Sequence, residues 1–347
     1  QKCASETGRP PKRLTARALD ALQRRPWEGN VRELENIIEH AFVLLHEGVI
    51  ALEHRPRLYG ADRRLMRVVK LRGRAYASGY HDFLIMKGGL RVFPRLFTSE
   101  HRIGSDFALL PSDVPGLDDL LGGGVRRGTS TLLLGAAGTG KSSIALHFAT
   151  AAAMRGESAS LFAFDERPAV VVRRMTALNP RFKAQFDEGR IRIHPVDSAE
   201  HSAGQFAHLV RRDVEERGTK VVIIDSVNGY LSSMIGEEYL DAHLHQLLSY
   251  LGEQGVASFL VVSQSGILDS ESAVNITYLA DNVLYLRFFE TGGEVRRAIS
   301  AIKVRTGAHE RSIREVLFAS SGLSLGPPLR KYRGILSGMP LVAGDQG

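Results

Sequence analysis

"STLLLGAAGTGKSSIALHFATAA", residues 130–152, joins a short apolar run to a glycine-rich loop and then to a run of good helix formers. In that strand–loop–helix setting, Gly-x4-Gly-Lys-Ser is a phosphate cradle. The loop glycines let backbone N–H groups close around phosphate oxygens, and a helix opening at Lys141 adds the positive end of its dipole. The contacts expected from the loop are Gly135, Ala136, Ala137, Gly138, Thr139, Gly140, Lys141, Ser142 and Ser143. Lys141 should reach the terminal phosphates, and Ser142 should ligate magnesium.

Outward from this loop, short apolar strands near 129–134, 159–164, 191–196, 221–225 and 257–263 alternate with amphipathic helices near 141–154, 168–177, 202–217 and 237–252. Such alternation predicts an α/β fold with a mainly parallel sheet and helices on both faces. In open parallel sheets ligands lie at the carboxyl ends of the strands, so polar residues there are site candidates. "KVVIIDS" ends on Asp225, suited to hold the magnesium through a water. "SLFAFDERP" ends on Asp165 and Glu166, of which Glu166 is expected to act as the base toward an attacking water and Asp165 to support it. Ser263 and Gln264 end the next strand, where a polar side chain could sense the last phosphate. Beyond 280, "NVLYLRFFE", "RRAISAIKVR" and "SIREVLF" read as consecutive antiparallel strands at the sheet's edge.

Part of that edge occurs twice. "KLRG" at 70–73 and "KVRT" at 303–306 superpose under an ungapped shift, which also brings Ala75 onto Ala308, Leu90 onto Leu323, Pro94 onto Pro327 and Leu96 onto Leu329. The phosphate loop occurs once. Residues 66–96 therefore read as the final hairpin and exit linker of a preceding domain whose body is missing, and 55–65, charged and turn-rich, as a linker. Ahead of them, residues 14–54 read as two helices. The first ends at Pro26, and Asn30 caps the second with Glu33 at its third position.

The chain holds 45 Lys+Arg against 38 Asp+Glu, and this excess is confined to the front. Residues 1–104 carry 20 basic and 11 acidic side chains, the rest 25 and 27. A basic front suits nucleic acid, an acidic partner or, more often, a solvated face, whereas the slightly acidic remainder disfavours DNA binding. The single cysteine, Cys3, excludes an internal disulfide framework, and no apolar run reaches the length of a membrane helix. These features point to a cytoplasmic protein.

"LPSDVPGLDDLLGGGVRRGTSTLLLGAAGTGKSSIALHFA", the "FDE" strand end, "VVIIDS" and "AISAIKVRTGAHERSIREV" together resemble the RecA-like ATPase domain of the KaiC family. The resemblance runs through 105–330 and into "YRGILSGMP". It implies ATP and Mg2+ as ligand and cofactor, and a homo-oligomer, expected to be a hexamer, with ATP between neighbours. It also implies that Lys303 and Arg305 reach the γ-phosphate held by the next subunit. Lys70 and Arg72, with no phosphate loop attached, are given no catalytic role. The family places paired acidic residues at Asp165 and Glu166, although its usual first member is Glu.

Aligning "ESAVNITYLADNVLYLRF" with the family's phosphorylated stretch puts Thr277 and Tyr278 at the acceptor positions and Asp281 at a nearby acid. Only Thr277 has a hydroxyl of suitable reach, which makes it the candidate phosphosite for a serine/threonine autokinase activity. "RPWEGNVRELENIIEHAFVLLHEGVI" resembles the AAA+ lid of the activators that work with the nitrogen-type sigma factor. In that family the residue at Arg32 senses nucleotide; here the AAA+ core is absent, and Arg32 is expected to be a surface or salt-bridge residue.

The expected organisation is a helical lid-like segment at 1–55, a linker and remnant hairpin at 56–104, the ATPase domain at 105–330 and a tail at 331–347. The expected function is ATP hydrolysis at subunit interfaces, in a signalling or circadian-type role with protein signalling partners. The alternatives are a RecA/RadA-like ATP-dependent DNA-binding protein and a transcriptional regulator derived from a sigma factor activator.

Overall fold

The computed structural model describes residues 48–56, 60–71, 75–96, 108–197, 199–233, 240–263, 277–305, 307–319, 322–336 and 341–342. The chain divides into two units, Gln1–Leu96 with Ala199–Leu209 and Phe97–Ser198 with Val210–Gly347. The helices expected before residue 47, with Arg32 and Cys3, lie outside the described residues, as do Arg72 and Gln264.

The first unit holds β1 (Gly48–Arg55), β2 (Arg63–Leu71), β3 (His81–Met86) and β4 (Gly89–Phe93), an antiparallel sheet in chain order. Two expectations are corrected here. Residues 48–54, read as the end of a helical segment, are strand β1, and 63–65, read as linker, belong to β2. "GVIALEHR" is a short apolar run whose spacing suits either period, and cross-strand pairing with β2 decides it. Leu65, Phe83 and Phe93 are buried, and buried Glu53 accepts a hydrogen bond from the Tyr80 hydroxyl at 2.7 Å.

The second unit opens with β5 (Leu109–Leu110), α1 (Pro115–Leu120), β6 (Val125–Arg126), β7 (Ser130–Gly135) and α2 (Lys141–Met154). It continues through β8 (Ser158–Ala163), α3 (Pro168–Leu178), α4 (Pro180–Asp187), β9 (Ile191–Pro195), α5 (Ala203–Arg217, of which the residues from Val210 on belong to this unit) and β10 (Thr219–Asp225). Then come α6 (Val227–Ser233), α7 (Leu240–Glu253), β11 (Ala257–Ser263), β12 (Asn282–Thr291), β13 (Glu294–Val304), β14 (Ile313–Ala319) and β15 (Gly322–Pro328). In the tail, β16 (Tyr332–Arg333) pairs with β17 (Leu341–Val342).

The nine-stranded sheet runs β15-β14-β13-β12-β7-β11-β10-β8-β9. From β12 to β9 every pairing is parallel, and the three strands beyond β12 are antiparallel, of which the sequence led one to expect β13 and β14. Parallel strands covered on both faces must be apolar throughout, and Val221 to Ile224 of β10 are fully buried. α2 lies over one face, where Ile144 and Phe148 join Leu133, Leu161, Ile223 and Phe259 in the core. Nearly all of α2 is buried, consistent with its apolar circumference.

Several elements escaped the sequence reading, among them α4, α6 and β15. In α4, Asn179 caps by accepting from the Arg181 N–H at 3.2 Å. α6 is only 7 residues long. β15, "GLSLGPP", has the composition of a turn but is tolerated as a strand because it is the sheet's edge, paired only with β14.

Candidate active site

Parallel pairing places four strand ends side by side. Ser263 of β11 is in register with Gly135 of β7, and Asp225 of β10 with Val261 of β11 and Ala163 of β8. The loops leaving those ends enclose a cavity of about 510 Å³ in the second unit. The phosphate loop lines it through Ala137, Gly138, Gly140, Lys141, Ser142 and Ser143, and the strand ends contribute Asp165, Glu166, Asp225, Ser226 and Ser263. Gly135, Ala136 and Thr139 complete the loop without being among the lining residues. Six of the nine cradle candidates and the acidic candidates Asp165, Glu166 and Asp225 thus line one concavity.

Lys141 is buried at the start of α2, and its Nζ donates to the Gly135 and Ala136 carbonyls at 2.8 and 2.7 Å. Burial pulls its ammonium down to about 8, partly offset by the negative charge of Asp225. Burial pushes Asp225 up, against a hydrogen bond from Ser142 and the positive field of Arg174. A half-buried carboxylate and a serine hydroxyl in contact are a hard-oxygen donor pair of the kind that magnesium accepts beside phosphate.

The acidic pair is anchored at two different places. Asp165 accepts from the Ser226 hydroxyl at 2.5 Å, and that oxygen in turn accepts the Gly229 N–H at 3.1 Å. Glu166 accepts from Arg174 Nη2 at 2.5 Å. Ser263 receives its anchor from Asn228, whose Oδ1 accepts its N–H at 2.8 Å.

The cavity also contains groups that the sequence reading missed. Phe318 of β14 presses on the loop so closely that a Cβ on Gly140 would fall 2.3 Å from its ring. Gly140 also sits at φ 103°, so a side chain there is opposed twice. Arg297 of β13 stacks over Phe288 and Phe318 at 5.6 and 5.4 Å and donates to the Gly138 carbonyl at 3.2 Å. These residues lie on strands more than a hundred residues from the loop, and no local motif marks them. The strand reading of "RRAISAIKVR" did put Arg297 on the right element.

Lys303 and Arg305 are not among the residues lining this cavity. Lys303 Nζ donates to the Thr277 and Ala280 carbonyls at 3.1 and 2.7 Å, and Arg305 to the Tyr278 carbonyl at 3.3 Å. Arg305 also faces Asp281 at 3.7 Å. The two cations and the candidate phosphosite Thr277 therefore form a second cluster where β12 begins and β13 ends. Burial, then the neighbouring Arg305, holds the Lys303 ammonium below its usual range.

Among the described residues no helix is long and apolar enough to cross a membrane. A family model for the AAA+ ATPase lid domain matches residues 1–65. The KaiC ATPase family model matches residues 110–329. Among curated relatives, the circadian clock oscillator protein KaiC of Picosynechococcus sp. is 28% identical over 282 residues, 80% of this chain and 54% of the relative. The protein of that name from Thermostichus vulcanus gives the same identity and coverage. The circadian clock protein KaiC3 of Synechocystis sp. is 27% identical over 284 residues, 80% of this chain and 55% of the relative. The chain spans about half the length of these relatives. With its sheet, its phosphate loop and the match over residues 110–329, it belongs to the KaiC family of ATPases.

Proposed function

We propose that the cavity binds ATP and hydrolyses it to ADP and phosphate. The observation that carries this reading is the convergence of the phosphate loop with Asp165, Glu166 and Asp225 on one wall-to-wall site. Magnesium suits Ser142 and Asp225, and when bound it supplies charge neutralisation at the phosphates. Lys141 turns from the loop carbonyls to the β- and γ-phosphates. Glu166 takes a proton from the attacking water as the water oxygen bonds to the γ-phosphorus, the bond to the ADP oxygen breaks, and the proton passes on to solvent. Asp165, fixed by Ser226, supports the strand end. The flat faces of Phe318 and the Arg297 guanidinium suit a nucleobase at the far end.

Lys303 and Arg305 complete the site of a neighbouring copy in a ring, for which a hexamer is the natural closure. Their position outside their own cavity supports this. Mixing Lys141→Ala subunits with Arg305→Ala subunits tests it. Some mixed interfaces then join an intact loop to an intact cation pair, and turnover should partly return. Verified mixing with no recovery would refute supply in trans.

A second activity is favoured by the hydrogen bond from Lys303 to the Thr277 carbonyl. Cations that meet a neighbour's γ-phosphate there bring Thr277 with them, so its hydroxyl becomes a phosphoryl acceptor. Tyr278 is exposed, and its hydroxyl extends several ångströms too far for the same in-line approach. Phosphopeptide mapping after incubation with ATP should find phosphate on Thr277 and not on Tyr278. The relatives named as circadian clock proteins suggest a cytoplasmic signalling or clock-type role with protein partners.

A further inference from the structure

We infer that Arg174 is the positioning residue for Glu166: tethered to the first turn of α2, its guanidinium fixes the Glu166 carboxylate inside the phosphate cavity. This rests on the reading of Glu166 as the base. Glu166 belongs to the short connection between β8 and α3, so no ladder hydrogen bond sets its place. It shares the cavity with Asp165 and Asp225, and three carboxylates so close repel one another. Asp165 has its own partner in the Ser226 hydroxyl, and Lys141, the cation at the start of α2, is committed to the loop carbonyls and does not pair with Glu166.

Arg174 does supply one. Of the adjacent arginines on α3, Arg173 and Arg174, only the second lines the cavity. The α3 face bearing Val171 and Met175 is buried, which turns Arg174, one helical step away, toward the strand ends. Its fork is satisfied at both tips, Nη2 to Glu166 Oε2 at 2.5 Å and Nη1 to Ser143 Oγ at 2.8 Å. A planar guanidinium held at two points has little freedom left, so it transmits the position of α2 to the carboxylate. Ser143 belongs to the same loop that grips the phosphates. The base and the phosphates are thereby referenced to one rigid element. Turnover depends steeply on such registration, while affinity for the nucleotide does not.

The test is a double-mutant cycle on the full 347-residue chain, with steady-state turnover and the affinity for a magnesium complex of a non-hydrolysable ATP analogue. Arg174→Gln should lower kcat on the order of tenfold while analogue affinity stays within about twofold, and Arg174→Lys should recover part of the rate. Arg174→Gln/Glu166→Gln should be no slower than Glu166→Gln alone, because the arginine acts only through that carboxylate. Losses that multiply in the double variant, or affinity that collapses while kcat is kept, would overturn the positioning role and make Arg174 a nucleotide contact. A wild-type rate in Glu166→Gln alone would instead remove the base assignment beneath it, so the two failures are distinguishable. A variant that fails to fold announces itself by losing analogue affinity in both the Gln and Lys forms.

Discussion

In β1 and β2, Val49 pairs with Lys70 and the ladder bulges before Ile50 meets Val68; in β12 and β13, Val283 pairs with Lys303 and the ladder bulges before Leu284 meets Ala301. The likeness continues strand by strand. Leu65 opposes Asp82 as Ala298 opposes Glu315, and Met86 opposes Gly89 as Ala319 opposes Gly322. Two four-stranded ladders share order, the bulge of the first pair and most of their register, and β14–β15 adds a bulge between Arg314 and Val316. Their surroundings differ. β12 runs beside β7, the strand that feeds the phosphate loop, while among the described residues β1 has only β2 beside it. Where β13 buries Ser300, β2 carries Arg67, half-buried over the Tyr80 ring at 5.1 Å. Register is therefore a property of the strands themselves, whereas the site depends on which strand lies alongside.

The largest expected effect tests whether the first ladder contributes any nucleotide chemistry. Lys141→Ala should reduce ATP turnover to background, since no other residue of the loop carries that charge. Measurable turnover above background would mean that a second site exists. In the wild-type chain, affinity for ATP should weaken as pH rises past about 8, where the buried Lys141 loses its proton.

Next in size is the contrast between matched lysines. Lys303→Ala should cost about 10² to 10³ in kcat, the scale of a lost charge at the transferring phosphoryl group. Lys70→Ala, at the same register position, should change it less than about twofold, since among the described residues β1 has no strand feeding a phosphate loop beside it. A comparable loss from both would break the comparison.

The sequence made the second ladder readable and half concealed the first. Lys70 and Lys303 differ by 233 positions, but Val49 and Val283 differ by 234, so an ungapped repeat ends at the β1–β2 turn and β1 is lost to a helix-like apolar spacing. The cavity divides in the same way. Lys141, Asp165, Glu166 and Asp225 were legible because a loop motif and strand ends mark them locally. Arg174 was not, because which of two adjacent arginines faces the site depends on how α3 packs. Phe318 was not, because only the antiparallel turn back through β14 carries it to Gly140.

A buried histidine in each unit gives a smaller contrast. His81 has both ring nitrogens partnered, by the Arg95 N–H at 3.0 Å and the Ala77 carbonyl at 3.1 Å. His147 on α2 accepts from Asn179 through Nδ1, and its buried Nε2 has no partner among the described residues. Burial pulls His147 down to about 4. The unfolded chain, titrating near 6.5, then binds more protons between those values, so stability is full above about 6.5 and falls as pH drops toward 4. The loss amounts to about 3 kcal/mol. Urea midpoints at pH 7 and 4.5 should show His147→Gln less acid-sensitive than wild type by roughly that amount, and an equal sensitivity would place His147 in a protonatable setting.

The finest contrast uses the glycines that open the last strand of each ladder. Gly89 and Gly322 occupy the same register position with φ of 140° and 115°, a region that a side chain disfavours by about 1 kcal/mol. Substitution by alanine should destabilise by that much in either place. What the new methyl meets is different. Around Gly89 nothing lies within 4 Å, whereas at Gly322 a Cβ would stand 3.3 Å from the Leu178 carbonyl, and Leu178 lines the nucleotide cavity. Gly322→Ala should therefore push the end of α3 and weaken ATP affinity by a few-fold, roughly 1 kcal/mol at most. Gly89→Ala should leave affinity and turnover at wild-type values even though its strand loses the same backbone freedom. Isothermal titration on the two variants decides the matter: weakened binding in Gly89→Ala would mean that the first ladder, for all its distance from a phosphate loop in sequence, is coupled to the nucleotide site.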